Sequence, residues 1–386
     1  MNIAAKRMMS LLQSEVTNNP VDKGIFAGML EEEWCELTAL SRKHDVAHLV
    51  CEALVASNVE LDAEFRQNCE KIAFKAAWRT KYMIANQNNI EELFQQNSIP
   101  FILLKGSVMR NYYPREWRRT SCDIDILVRK EDFALAKQLL LAQSGYEKYS
   151  QTDHDVSFWS DQKILIELHH SVSYTDDAND SFTDDFWNDA KPVDNTVEYT
   201  VPDAMFYCSH INHMAKHVVY GGCGVRPFLD LWILDNFSNV DLQARTMLLE
   251  EYGLMKFANA ASELCQVWYE GKDESDTTAL LSEYILNGGA YGSKENMTAV
   301  GTVKKKSSFR YIISRFWLPY EQLCCMYPSL EGKRFLQPFY EFRRILRIVN
   351  PKTFRRGVAE MKYSKSLSLE ERMRTAEMLL QLGLRK

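Results

Sequence analysis

Apolar residues recur at helical spacing through residues 1–95, where Gly and Pro are sparse. Met29, Trp34 and Leu37, then Leu49, Val50, Ala53 and Leu54, mark the stripes. The period changes after Pro100. The run 101–104 is apolar and too short for a helix, so it reads as a strand. A second such run, 126–128, follows Asp123-Ile124-Asp125. Between 131 and 141 Ala and Leu dominate, with acids at the start that suit a helix N-terminus and Gly145 beyond its end. Segments 146–149, 155–159 and 164–169 read as further strands. From Pro202 the helical period returns, over 203–219, 227–238, 240–252, 255–270 and 276–287. The stretch from Gly288 to Lys306 is the best linker candidate, and helices resume from about 309, broken near Pro319, Pro328 and Pro351.

This order predicts an α+β fold that is mostly helical: a small mixed-sheet core flanked by N- and C-terminal helical regions. The expected divisions are an N-terminal helical region at 1–95, the sheet-bearing core at 96–200, a helical region covering a cleft at 201–290 and a basic helical region at 305–386. A length of 386 residues suits two or three such units.

Composition narrows the setting. No run of 18 apolar residues occurs, so no transmembrane segment is expected, and the polar start MNIAAKRMMSLLQSEV does not read as a signal peptide. Nine cysteines without a CxxC pair point to a reducing, cytoplasmic location. The net charge of −6 is uneven. Residues 301–386 hold 19 Lys and Arg against seven Asp and Glu, a balance of +12 that leaves −18 for residues 1–300. The acids gather between Asp153 and Asp203 and are expected in a solvated loop region. The basic C-terminal part includes Lys304-Lys305-Lys306, Arg343-Arg344, Arg347 and Lys352 to Arg356, interleaved with Phe335, Phe339, Tyr340, Phe342 and Phe354. It is either a basic solvent face over an aromatic core stripe or a surface for an anionic polymer or membrane.

The chemistry concentrates in residues 101–128, FILLKGSVMRNYYPREWRRTSCDIDILV. Residues i and i+2 of a strand share a face, so Asp123 and Asp125 project together about 7 Å apart. Two like charges at that distance need a cation between them, and Mg²⁺ takes carboxylates, waters and phosphate oxygens. Gly106 lets backbone approach a phosphate without a Cβ, and Ser107 is read as the start of the next helix, whose free N–H groups attract an anion. Two-metal phosphoryl transfer needs a further carboxylate. Glu167 is the candidate, since it interrupts the buried run 164–168 and a lone carboxylate there is costly. It shares a face with His169. Asp153, Asp155 and Asp161 lie in more polar sequence.

Leu104-Lys105-Gly106-Ser107, then Tyr112-Tyr113-Pro114, Arg119, Asp123-Ile124-Asp125 and Glu167-Leu168-His169-His170 resemble the uncharacterised bacterial nucleotidyltransferase family of the DNA polymerase beta-type superfamily. The resemblance implies that Gly106 and Ser107 contact the phosphates of an NTP. It implies that Asp123, Asp125 and Glu167 hold two divalent ions, Mg²⁺ or Mn²⁺, with Glu167 near the attacking hydroxyl. Lys105 and Arg119 flank the motifs as phosphate contacts, Arg119 alternatively as an orienter of the aspartates. The strict superfamily motif has a second Gly where this chain has Ser107.

The expected reaction moves an NMP from the NTP to a hydroxyl acceptor and releases pyrophosphate. A small molecule or sugar comes first as acceptor. RNA, as for toxin-like enzymes, or a protein comes next, and a catalytically silent nucleotide-binding assembly protein is the alternative from another class. Two further clusters belong to the cleft-covering region. His210, His213 and His217 share one helix face, which suits a cleft wall better than a zinc site. Arg226 and Asp230 stand i,i+4, either as a cation for phosphate or base with its orienter or as a structural ion pair.

Overall fold

The computed structural model describes residues 1–57, 59–152, 154–172, 181–305, 317–318, 320–348, 362–364 and 366–384. Four helices come first: α1 (Ile3–Thr17), α2 (Glu31–Lys43), α3 (Ala47–Ala56) and the long α4 (Ala63–Gln96). The core then runs β1 (Phe101–Leu103), α5 (Lys105–Met109), β2 (Asp123–Val128), α6 (Phe133–Ala142), β3 (Tyr146–Gln151), β4 (Asp155–Ser160) and β5 (Leu165–His169). After α7 (Ser181–Asp189), β6 (Lys191–Pro192) and β7 (Glu198–Thr200) come α8 (Asp203–Val219), α9 (Arg226–Phe237), α10 (Leu242–Glu251), α11 (Met255–Glu270), α12 (Asp276–Gly288) and α13 (Lys294–Lys304). The remaining described helices are α14 (Tyr320–Met326), α15 (Gln337–Ile348) and α16 (Leu369–Gln381). The fold is α+β and mostly helical. Among the described residues no helix is long and apolar enough to cross a membrane.

The sheet is mixed, with seven strands in the order β3-β4-β5-β2-β1-β7-β6. β2 pairs parallel with β5 and antiparallel with β1. The period-2 pattern of the central strands explains how the layers form. Ile124, Ile126 and Val128 of β2 and Ile166 and Leu168 of β5 pack with Met83, Ile90 and Phe94 of α4 and Ala136 and Leu140 of α6. Each such buried aliphatic side chain contributes about 1.5–3 kcal/mol. A slip of one residue would turn these side chains out and drive Asp123 and Asp125 into that core, so the register is strongly fixed. The other face of the sheet meets a larger core built from α1, α3, α8, α9 and α11, into which Leu127 points.

Several expectations change. The strand expected at 101–104 ends at Leu103, because Leu104 caps α5. β6 and β7 have two and three residues, too few for a periodic signal. The acidic region expected to be loop contains α7, whereas Asp153, Asp176 and Asp177 lie outside the described residues. The expected linker 288–306 contains α13, and its glycine-rich start is packed rather than free. Ser293 N donates to the Gly221 carbonyl at 3.0 Å, Gly224 N to Ala290 O at 3.2 Å and Ala290 N to Lys43 O at 2.8 Å. The glycines at 221–224 are one half of this backbone-to-backbone contact. In the basic region, buried Arg344 is paired with buried Glu341 at 2.7 Å, so it does not contribute to a solvent face. Lys306 and Lys352 to Arg356 lie outside the described residues, as does Arg347's side chain.

Candidate functional site

The face of β2 and β5 opposite α4 carries Asp123, Asp125, Glu167 and His169. The parallel register sets Asp125 directly across from Glu167 and Leu127 across from His169. One ligand atom from each of Asp125, Glu167 and His169 lies within 4.8 Å of the others. His169 Nε2 is 2.9 Å from Asp125 Oδ1 and 3.6 Å from Glu167 Oε2. Lys105 Nζ donates to Asp125 Oδ1 at 2.8 Å. Two carboxylates and an imidazole on rigid strands form a donor set that suits a divalent cation.

Electrostatics supports that fit. Burial pushes the Glu167 carboxyl up to about 7, and the like charges of Asp125 and Asp123 add to the shift. Burial, then the neighbouring Asp125, also raises Asp123. Burial alone would raise Asp125 too, but Lys105 and His169 outweigh it and hold its carboxyl well below the usual range. Only one of the three carboxylates is thus well neutralised by the protein. An ion of charge +2 among them would relieve the other two.

The carboxylates floor a cleft of about 430 Å³. Lys105 and Gly106 form one edge of it. Lys105 has a φ of 42°, a left-handed conformation rare for a side-chain-bearing residue and typical of constrained sites. Gly106 is required locally, because a Cβ there would lie 2.9 Å from Ser121 Cβ. Ser107 is placed differently from expectation. It sits inside α5, its N–H donates to Leu104 O at 3.2 Å, and its hydroxyl accepts from Arg110 at 3.3 Å. It lines a separate cavity, on the α4 side of the turn, rather than the cleft.

Arg119 and Arg226 both border the cleft. Arg119 Nε and Nη2 make a fork with Asp230, each at 2.7 Å, and Tyr113 donates its hydroxyl to the same carboxylate at 2.7 Å. Asp230 is fully buried. Arg226 does not pair with Asp230. It pairs with Asp45, in the α2–α3 connection, and donates to Thr120 O at 3.0 Å. The i,i+4 spacing failed as a guide because Asp230 turns inward from α9 while Arg226, at its first position, stays on the rim. The opposite wall is α8. His210 is 2.9 Å from Pro227 O, and His213 and His217 are 3.0 Å apart through Nε2. Burial, followed by the positive charge of Lys105, lowers both His213 and His217, the latter to about 4. These two histidines are therefore neutral near pH 7, and the positive charge of this wall comes from Lys216.

His169 as a donor, Asp45 as the partner of Arg226, and Tyr291 at the cleft mouth were not singled out from sequence. His169 had a signal, its i+2 relation to Glu167. Asp45 and Tyr291 had none, since only long-range packing brings them here.

No curated protein and no solved structure matches the chain. A family model described as "Uncharacterised nucleotidyltransferase" matches residues 31–270, which include every strand of the sheet and both walls of the cleft. The chain belongs to this uncharacterised nucleotidyltransferase family.

Proposed function

We propose that this protein transfers an NMP unit from an NTP to a hydroxyl acceptor, with two divalent ions, Mg²⁺ or Mn²⁺, held by Asp123, Asp125 and Glu167. The observation that carries this reading is the register that sets Asp125 across from Glu167, with Asp123 on the same face, at the floor of a cleft edged by Lys105 and Gly106. When bound, the ions neutralise charge on the attacking and leaving oxygens.

The chain's own residues do the rest. Asp123 and Asp125 orient the ligand set from one rigid strand. Lys105, Gly106 and Arg226 face the triphosphate from the cleft edge. Ser107 acts through the turn, holding Arg110 and thereby the α5 geometry. Arg119 is locked in its fork with Asp230 and serves by fixing the loop that leads into Asp123. The acceptor oxygen bonds the α-phosphorus, the bond from that phosphorus to the pyrophosphate oxygen breaks, and the hydroxyl proton passes to Glu167.

The test is incubation of purified protein with each α-labelled NTP, Mg²⁺ or Mn²⁺, and fractionated RNA, protein and small molecules from lysate. Label should move to one fraction with release of pyrophosphate, and the transfer should be absent in Asp123→Ala and Asp125→Ala. Transfer retained in both variants would overturn the reading.

A further inference from the structure

The outward side of α4 carries two parallel ridges. Phe74, Trp78 and Tyr82 recur at every fourth residue and are 67%, 52% and 40% exposed. Lys71, Lys75 and Arg79 recur at the same spacing beside them, followed by Lys81, and all four are exposed. No acidic residue occurs between 71 and 90. Residues three and four apart adjoin on a helix surface, so each ring lies next to a cation. The rings form a continuous ladder, with centroids 6.1 Å apart for Phe74 and Trp78 and 5.5 Å for Trp78 and Tyr82. Among the described residues the four cations make no ion pair with a carboxylate. Lys71 bonds the Gln67 amide, and Arg79 bonds the Lys163 carbonyl. Neither core explains three large aromatic side chains held in water, and such patches mark interaction surfaces.

The face is concave. The ridges meet Gln162 and Ile164 of the β4–β5 turn and enclose a groove of about 230 Å³. Aromatic platforms beside a line of cations suit a single-stranded nucleic acid: the rings stack on bases, and the cations neutralise phosphates. A bilayer surface would instead favour a convex helix face with a broad aliphatic stripe. Here a line of cations flanks the rings in place of an aliphatic stripe, and the groove wall offers the Gln162 amide, which can hydrogen-bond a base edge. One side-chain contact runs from this helix to the lining of the cleft, which opens on the other face of the sheet. Met83, the residue after Tyr82, accepts a hydrogen bond from the Ser121 hydroxyl, and Ser121 lines the cleft two residues before Asp123.

We propose that this face of α4 binds a single-stranded nucleic acid, a reading that stands independently of the nucleotidyl-transfer reading above. The test uses the full chain and fluorescence anisotropy with a labelled 12-nucleotide strand, as RNA and as DNA of the same sequence, in EDTA so that no transfer runs. Trp78→Ala with Tyr82→Ala should weaken binding at least about tenfold. Lys75→Glu with Arg79→Glu should also weaken it and lower the log–log salt slope by about 1.4. All four side chains are exposed, so circular dichroism and melting should match the parent protein. The RNA and DNA arms identify which strand is preferred. Absence of binding to both strands, or binding unaffected by both double variants, would overturn the proposal. Binding only to vesicles of anionic phospholipid, or only to an acidic peptide, would overturn it as well. Transfer to a small acceptor without strand binding would remove this face and leave the nucleotidyl-transfer reading standing, whereas strand binding without any transfer would do the reverse.

Discussion

Asp125 lies directly across the parallel β2–β5 ladder from Glu167, and the two carboxylates are not equivalent. Lys105 and His169 contact Asp125 at 2.8 and 2.9 Å, so its charge is supported by the protein. Glu167 has His169 at 3.6 Å and faces the charges of Asp125 and Asp123, so its own charge is opposed. The same acidic cluster therefore contains one residue that stabilises the fold and others that strain it.

That difference predicts opposite effects on stability from substitutions that all remove activity. Asp123→Asn and Glu167→Gln relieve repulsion and should melt at or above the parent temperature in EDTA. Asp125→Asn removes the buried carboxylate that Lys105 and His169 both contact and should cost about 1–3 kcal/mol. All three should lose about 10²–10⁴ in transfer rate, the range expected when charge stabilisation worth several kcal/mol is removed. Thermal melts and transfer from α-labelled NTP check both halves. Equal destabilisation by all three would contradict the asymmetry.

The Arg119–Asp230 fork gives a second expectation. Asp230 is fully buried and Arg119 nearly so, and removal of one partner leaves an uncompensated buried charge. Arg119→Met or Asp230→Ala should each cost about 3–5 kcal/mol in urea denaturation. The double variant Arg119→Met with Asp230→Ala should cost less than the two single changes added together. Additive losses would mean that the fork is not the interaction holding Arg119.

Why some of the site could be read from sequence and some could not follows from range. Asp123, Asp125 and Glu167 were legible because strand periodicity is local: alternation with Ile124, Ile126, Ile166 and Leu168 fixes which side each carboxylate takes. The helices 203–219 and 255–270 were legible for the same reason, through their period. The partner of Arg226 was not. Asp45 is 181 residues away in sequence, and no spacing rule reaches it. Ser107 was misplaced because the pattern marks the turn but not whether a residue faces the cleft or α4. The segment from Gly288 was read as a linker because glycine signals both freedom and close approach, and only the tertiary contact with 221–224 distinguishes the two.

Acid should weaken the fold through two histidines outside the carboxylate cluster. Burial lowers His44 to about 4, and burial together with the positive charge of Arg226 lowers His48 to about 4, from 6.5. Both are neutral in the folded chain, while the unfolded chain takes up protons below 6.5. Their contribution is thus present above 6.5 and is lost as pH falls through about 4, at a slope of up to about 1.4 kcal/mol per pH unit for each. Glu15 works in the opposite sense. Burial, partly offset by Arg118, raises it to about 7, so its contribution is present below 4.5 and lost as pH rises through 7. The readout is therefore the difference between proteins: His48→Gln should flatten urea-derived stability against pH between 6.5 and 4 by about one proton. An unchanged slope would show that His48 is not held neutral.

The contact between the 221–224 and 288–293 segments makes Gly292 the most demanding glycine among the described residues. A Cβ on Gly292 would lie 2.3 Å from Gly221 O and 2.6 Å from Gly222 O, which are backbone atoms that no rotamer change can move. Its φ of 70° adds the strain of a left-handed residue. Gly292→Ala should cost about 3 kcal/mol or more, since overpacking against fixed backbone adds to that strain. Gly253→Ala is the matched control: its φ is 65°, but nothing lies within 4 Å of the added Cβ, so only the strain of about 1–2 kcal/mol remains. The gap between the two variants in urea denaturation isolates the steric part. Because the same segment carries Ala290 and Tyr291 at the cleft mouth, the Gly292 variant should also weaken nucleotide binding, while Gly253→Ala, in the α10–α11 turn, should not. Equal stability of the two variants would mean that residues 288–293 do behave as the linker their composition suggests.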